Sequence, residues 1–446
     1  MRCMLIDVNT SDKRLKNWRV PFFTIWAGQA ASLLGSQLVQ FALIWWLTKA
    51  TGSATVLATA TLVGLLPQVV LGPVTGALVD RWNRRVIMIV ADSVIALATV
   101  ALAILFLTGN IQFWNIYVLM FVRGAAGGFH WPAMQASTSL MVPKEHLTRI
   151  QGFNQMLHGA LNIASAPLGA LLLELVPVQG ILAVDVGTAL LAITPLFFIP
   201  VPQPQRADLP ENGLGKPSVW QDMVAGFRYI MGWPGLIMIG IMAAMINFLL
   251  TPASSLIPIF VTQHFNGGAF HLAGLESAWG IGVIIGGILL GIWGGFKRRI
   301  LTSLVGLIIL GIAVTMMGLL PSWAFYLAIA MMFVIGFANP ITDGPLFAVM
   351  QSSVAPEMQG RVFTLVASVA AAMSPLGLII AGPLADRFGV QTWYIAAGPV
   401  TLFMGVSGFF IPMILNIEGG RGEQPDSEIG RPEESPVPAG SLAEAD

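Results

Sequence analysis

Four ionisable side chains, Asp92, Arg123, Asp185 and Glu276, stand inside stretches of this sequence that are otherwise almost free of charge. A charge at the centre of a lipid-embedded helix costs about 2.5–3.5 kcal/mol on insertion scales, so each such group requires a partner, water or a task. Arg123 falls mid-stretch, and two roles are open to it: contact with protons or an anionic cargo group, or a structural ion pair. Burial favours the uncharged form of a carboxylate, which makes Asp92, Asp185 and Glu276 candidates to bind and release protons. Each also lies near one end of its stretch, where a hydrated structural role is equally open. Asp343 reads as a cap on a loop. His130 and His158 titrate in a useful range, although a lone histidine inside a helix more often packs and hydrogen-bonds.

Uncharged polar groups form a second pattern. Gln29, Ser32, Ser36, Gln37 and Gln40 recur at three- and four-residue steps, Asn154, Gln155, His158 and Asn162 repeat the theme, and Asn247 marks a third stretch. A polar face on an apolar helix sees water or polar cargo rather than lipid. Gln29, Ser36, Gln37, Gln40, Asn154, His158, Asn162 and Asn247 are therefore expected to line a cavity. No H-E-x-x-H, Walker loop or G-x-S-x-G occurs, and Cys3 is the single cysteine. Neither an enzyme nor a nucleotide-driven pump is expected, and neither a metal nor a cofactor.

The elements that position these groups are membrane helices. Over 446 residues, 56% are hydrophobic and 10% charged, with mean hydropathy +0.78; a water-soluble surface needs far more charge. A span requires about 20 apolar residues, and the charge-free runs place helices near 20–47, 54–79, 86–107, 114–140, 152–175, 180–200, 235–260, 272–295, 300–320, 323–345, 362–384 and 392–415. The expected fold class is an all-α integral membrane protein with twelve transmembrane helices. Nineteen of the 22 Lys and Arg fall before the first helix, after every even-numbered one or in the tail. That asymmetry puts both termini in the cytoplasm and the chain in the cell membrane. The first helix serves as the targeting signal, since a polar, basic start leads straight into it.

Residues 1–19 read as a cytoplasmic segment, 20–200 as one six-helix bundle, 201–233 as a cytoplasmic connection, 234–417 as a second bundle and 418–446 as a disordered acidic tail. The bundles repeat. Gln135, Val142, Pro143, Glu145 and Arg149 recur as Gln351, Val354, Pro356, Glu357 and Arg361. Ala166-Pro167-Leu168-Gly169 recurs as Ser374-Pro375-Leu376-Gly377, and Gly72 and Gly76 before Arg84-Arg85 match Gly287 and Gly291 before Arg298-Arg299. Chance likeness of apolar helices explains shared Leu and Gly but not shared loop charges.

The run Gly72-Pro73-Val74-Thr75-Gly76-Ala77-Leu78-Val79-Asp80-Arg81-Trp82-Asn83-Arg84-Arg85 resembles the G-x-L-x-D-R-x-x-R-R signature of the major facilitator superfamily. Gly72 and Gly76, four apart, share a helix face that admits a close partner. The resemblance implies a gating latch in which Asp80 and Arg81 engage helix 11 of the other half, with Arg84 and Arg85 either sharing that role or anchoring at headgroup depth. Arg123-Gly124-Ala125-Ala126-Gly127-Gly128 is similar to the family's second signature, and Ser165-Ala166-Pro167-Leu168-Gly169-Ala170 keeps part of the exporters' helix-5 motif through Pro167 and Gly169. Gly226-Phe227-Arg228-Tyr229, the run Gly274-Leu275-Glu276-Ser277-Ala278-Trp279-Gly280-Ile281-Gly282, and Gly360-Arg361-Val362-Phe363 resemble the macrolide-efflux and siderophore-export branch.

That resemblance implies two pseudo-symmetric six-helix bundles that rock around a midplane cavity, and proton-coupled export of amphipathic drug or macrolide molecules. The implied partners are a small-molecule substrate, protons and membrane lipid, with no nucleic acid, and the chain is expected to be a monomer. A siderophore exporter or lysophospholipid flippase is the alternative. A non-transporting receptor is a remoter one, because the short loops leave no room for a sensory module.

Overall fold

The computed structural model describes residues 18–203 and 219–419. Twelve long helices account for most of them: α1 Arg19–Thr51, α2 Ala54–Arg81, α3 Arg84–Leu107, α4 Phe113–Met141, α5 Lys144–Leu175, α6 Val178–Phe198, α7 Pro234–Ser255, α8 Ala269–Trp293, α9 Arg299–Leu319, α10 Phe325–Ser353, α11 Pro356–Phe388 and α12 Gln391–Gly408. α7 continues through Ile257–Ile259 into a π-helical turn, Phe260–His264. Ten of these helices are long and apolar enough to cross a membrane. α4, interrupted by Arg123 and His130, and α12, only 18 residues long, are the other two. Large apolar side chains face outward on both bundles: Leu191 is 61% exposed and Ile292 82%. Such a surface belongs in lipid, where backbone groups must be satisfied within each helix.

The structure lengthens several expected helices. α5 begins at Lys144 rather than near 152, α10 runs to Ser353 rather than 345, and α11 spans Pro356–Phe388 rather than 362–384. Hydropathy registers only the lipid crossing, whereas helix hydrogen bonding carries on through charged turns that stand in water. α12 is shorter than expected, because a turn at Phe409 and Phe410 breaks it before Pro412. The connection expected over 201–233 contains a helix, Val219–Met231, that lies on α11: Gly226 packs against Arg361, and the Tyr229 hydroxyl stands 3.4 Å from the Ala355 N–H. Residues 1–17, with Cys3, and the expected tail beyond 419 lie outside the described residues.

Packing repeats with the sequence. In the first bundle α1 packs on α6, α2 and α3 on α4, and α3 on α6; in the second α8 and α9 pack on α10, α9 on α12, and α7 on α11. Between bundles the main contacts are α2 with α11 and α5 with α8, a pairing that maps onto itself when helix numbers are advanced by six. Close crossings fall at glycines. A Cβ on Gly124 would overlap the Gly64 carbonyl, so α2 and α4 touch backbone to backbone. The ends bearing Arg84, Arg85, Arg149, Arg298 and Arg361 form one face, called here the basic face.

Candidate functional site

Arg123 has the partner its position demands. Its Nη1 lies 2.9 Å from Asp185 Oδ2, across from α4 to α6. Thr99 on α3 donates to the same oxygen at 3.1 Å, Ser36 on α1 donates to Oδ1 at 3.2 Å, and Arg123 Nη2 donates to the Ser36 carbonyl at 3.1 Å. Asp185 is 1% exposed. Four helices of the first bundle thus meet at a neutralised ion pair in which both carboxylate oxygens are bonded.

Asp92 anchors a second buried cluster, nearer the basic face. Gln29 on α1 donates to Asp92 Oδ2 at 3.0 Å, and His130 Nε2 on α4 stands 3.3 Å from Oδ1 without the alignment of a hydrogen bond. The two clusters are built on one register. Gln29 and Ser36 on α1, Asp92 and Thr99 on α3, and His130 and Arg123 on α4 are each seven residues apart. Two helical turns, about 10 Å, therefore separate the levels on all three helices.

Between the bundles lies a cavity of about 400 Å³, lined by Leu65, Gln68 and Val69 of α2, Asn247 and Thr251 of α7, and Ala371 and Ser374 of α11. Thr251 and Ser374 share a hydrogen bond at 3.0 Å, and Ser374 reaches Asn247 Oδ1 at 3.5 Å. The cavity is uncharged and mixes amide and hydroxyl groups with aliphatic walls, a surface suited to an amphipathic guest. Of the residues expected to line a cavity, Asn247 does so here. Gln37 and Asn162 are exposed, and Gln40 and Ser36 half-buried. Gln29 and Asn154 are buried in helix packing; Asn154 accepts from Trp26 Nε1 at 2.8 Å. His158 sits edge-on to Trp131. Glu276 on α8 is half-buried and has no hydrogen bond or ion pair among the described residues.

At the basic face, Arg84 donates to the Ala136 carbonyl near the end of α4 and Arg85 to the carbonyls of Leu196 and Phe197 at the end of α6. Both cations thus meet the negative ends of helix dipoles within their own bundle. Gly72, expected to admit a close partner helix, has nothing within 4 Å of an added Cβ among the described residues. Gly76, Asp80 and Arg81 lie in the last turns of α2, but their side chains fall outside what the structure describes. Gly169, beside Pro167, packs α5 against the Phe41 ring of α1.

One site escaped the sequence reading. Asp386, at the far end of α11, accepts from Ser53 Oγ at 2.8 Å and from the backbone N–H groups of Ala54 and Thr55 at 2.6 and 3.0 Å. It caps the N-terminus of α2 from the other bundle, satisfying donors that a helix leaves unpaired. Gly382, one turn earlier, lets the backbones meet, since a Cβ there would stand 2.8 Å from Thr55 Cα. Gln263 Nε2 donates to the Gly52 carbonyl at 2.6 Å, and Thr61 bonds Ser255 at 2.7 Å. The signal was present: Gly382-Pro383-Leu384-Ala385-Asp386-Arg387 repeats the pattern of Gly76-Ala77-Leu78-Val79-Asp80-Arg81.

Comparison with known proteins agrees with this architecture. A family model described as Major Facilitator Superfamily matches residues 25–378. Macrolide efflux protein A of Streptococcus pyogenes is 34% identical over 409 residues, covering 91% of this chain and 98% of that protein. Multidrug efflux pump Tap of Mycolicibacterium fortuitum is 27% identical over 412 residues, covering 90% and 98%. Among solved structures, a bacterial homolog of the human lysosomal transporter Spinster, in an inward-facing and unoccupied conformation, superposes with a TM-score of 0.68 at 15% identity, covering 91% of this chain and 98% of that one.

Proposed function

Because this chain belongs to the major facilitator superfamily, we propose that it is a proton-coupled exporter of bulky amphipathic small molecules, of the macrolide or drug type. Its two six-helix bundles alternate the exposure of one cavity between the two sides of the cell membrane, with both termini in the cytoplasm. The observation that carries this reading is the placement of the bonds between bundles. Those described, at Asp386, Gln263, Thr61 and Ser277, all lie in the half of the molecule away from the basic face. A shut side and an uncharged cavity between bundles fit one stage of an alternating cycle. The excess of Lys and Arg assigns the basic face to the cytoplasm, so the shut side is external. Relatives named for macrolide and multidrug efflux support the direction and the class of cargo.

The test is uptake of radiolabelled erythromycin into inside-out vesicles carrying the chain, with and without an imposed pH difference. Accumulation that rises with the gradient and collapses with an uncoupler is expected. Accumulation indifferent to the uncoupler would refute proton coupling, and its absence for erythromycin and ethidium alike would refute the cargo class.

A further inference from the structure

The two polar clusters of the first bundle differ in what they leave unsatisfied. Asp185 is saturated: one oxygen accepts from Ser36, the other from Thr99 and Arg123. Arginine keeps its proton in proteins, so a permanent cation occupies the place where another proton would sit. The Asp92 cluster is incomplete. While Gln29 Nε2 donates to Asp92, the Gln29 Oε1 is buried with no donor, and Gln29 is 0% exposed. His130 Nε2 also lacks an aligned partner, though Asp92 Oδ1 stands 3.3 Å away.

We propose that Asp92, His130 and Gln29 form a proton-binding site that is emptied and refilled with one proton in each transport cycle, while Arg123 and Asp185 remain a fixed pair. The proposal rests on the proton-coupled reading above and names the group that carries it out. Empty, with the carboxylate ionised and the imidazole neutral, the cluster bears one negative charge. Loading transfers a proton from hydronium, which leaves as water, to a new O–H on Asp92 or N–H on His130, and the cluster becomes neutral. Gln29 serves both states. Its Nε2 donates to the ionised carboxylate, and rotation of the amide presents Oε1 to a protonated one, giving the orphaned oxygen its donor.

The surroundings isolate this site. α1 brings Arg19 and Lys49, both at its ends; α3 brings Arg84 and Arg85, held by the ends of α4 and α6; α4 brings Arg123 and α6 Asp185, paired with each other one level away. Among the described residues only His130 is a titratable neighbour of Asp92. The helix that carries His130 also touches the cavity wall: Gly128 on α4 packs on Gln68, a cavity-lining side chain of α2. A change of charge at Asp92 therefore acts on α4, the helix packed on the α2 wall of the cavity.

The experiment uses the full chain in proteoliposomes with radiolabelled erythromycin, in two modes: accumulation driven by a pH difference, and gradient-free exchange of labelled for unlabelled cargo. Asp92→Asn is expected to lose about tenfold or more in driven accumulation while exchange stays within about twofold. His130→Gln should keep exchange while lowering driven accumulation about fivefold. Asp92→Glu should regain part of the accumulation, and Arg123→Gln with Asp185→Asn should retain it. The assignment is overturned if Asp92→Asn accumulates like the parent, or if both Asp92→Asn and Asp92→Glu lose the two modes together, which marks a folding role. A parent chain that exchanges cargo but ignores the gradient refutes the underlying proton coupling instead.

Discussion

Removing the Asp386 carboxylate should unlock the shut face. In the present state that side chain supplies acceptors for two backbone donors of α2 and for the Ser53 hydroxyl; when the face opens, water must take its place. Loss of a helix N-cap acceptor costs about 0.5–2 kcal/mol, and loss of an anion at the positive helix end about 0.3–1 kcal/mol. Asp386 is exposed, so solvent screening holds the sum near about 2 kcal/mol. That corresponds to an about 30-fold shift of the equilibrium toward the open face in Asp386→Ala, and, with one acceptor kept, about fivefold in Asp386→Asn. Spin labels at Asn110→Cys and Ser322→Cys, in a Cys3→Ser background, sit on loops of the two bundles at this face, and pulsed electron paramagnetic resonance reads their separation. The long-distance fraction should rise in the order parent, Asp386→Asn, Asp386→Ala. Identical distributions in the three chains would show that the cap contributes nothing to closure.

Two other outcomes follow from the same contacts. Arg123→Ala leaves Asp185 buried without its cation and should cost about 3–5 kcal/mol, measured by thermal unfolding in detergent; adding Asp185→Asn should return most of the loss, and a double variant no better than the single one contradicts a structural pair. Gly382→Leu drives a side chain into the Thr55 backbone and should lengthen the same label separation as Asp386→Ala, with unchanged distances refuting the close crossing of α2 and α11.

The helices and the paired bundles were legible because lipid imposes a length and a charge rule that the chain must spell out residue by residue. Arg123 announced its need for a partner for the same reason, although the sequence could not tell whether Asp185 was a proton carrier or a counter-ion. The polar stripe on α1 is legible as a polar face, but that Gln29 on it meets Asp92 is not; periodicity identifies a face but not what lies opposite it. Gly72 shows the converse, since a small residue permits a close neighbour, yet among the described residues none stands against it. Asp386 went unnoticed because it closes a hydrophobic run beside Arg387 and looks like a loop charge. Its partners lie more than 300 positions away, where no local pattern reaches.

α11 joins two places that otherwise have nothing in common. Its first turns carry the helix Val219–Met231 through Gly226 and Tyr229, and its last turn carries Asp386. A 33-residue helix is a rod of about 50 Å. A shift of the helix Val219–Met231 at one end of α11 thus has a path to the Asp386 contact at the other, along a helix that Pro375 and Pro383 interrupt.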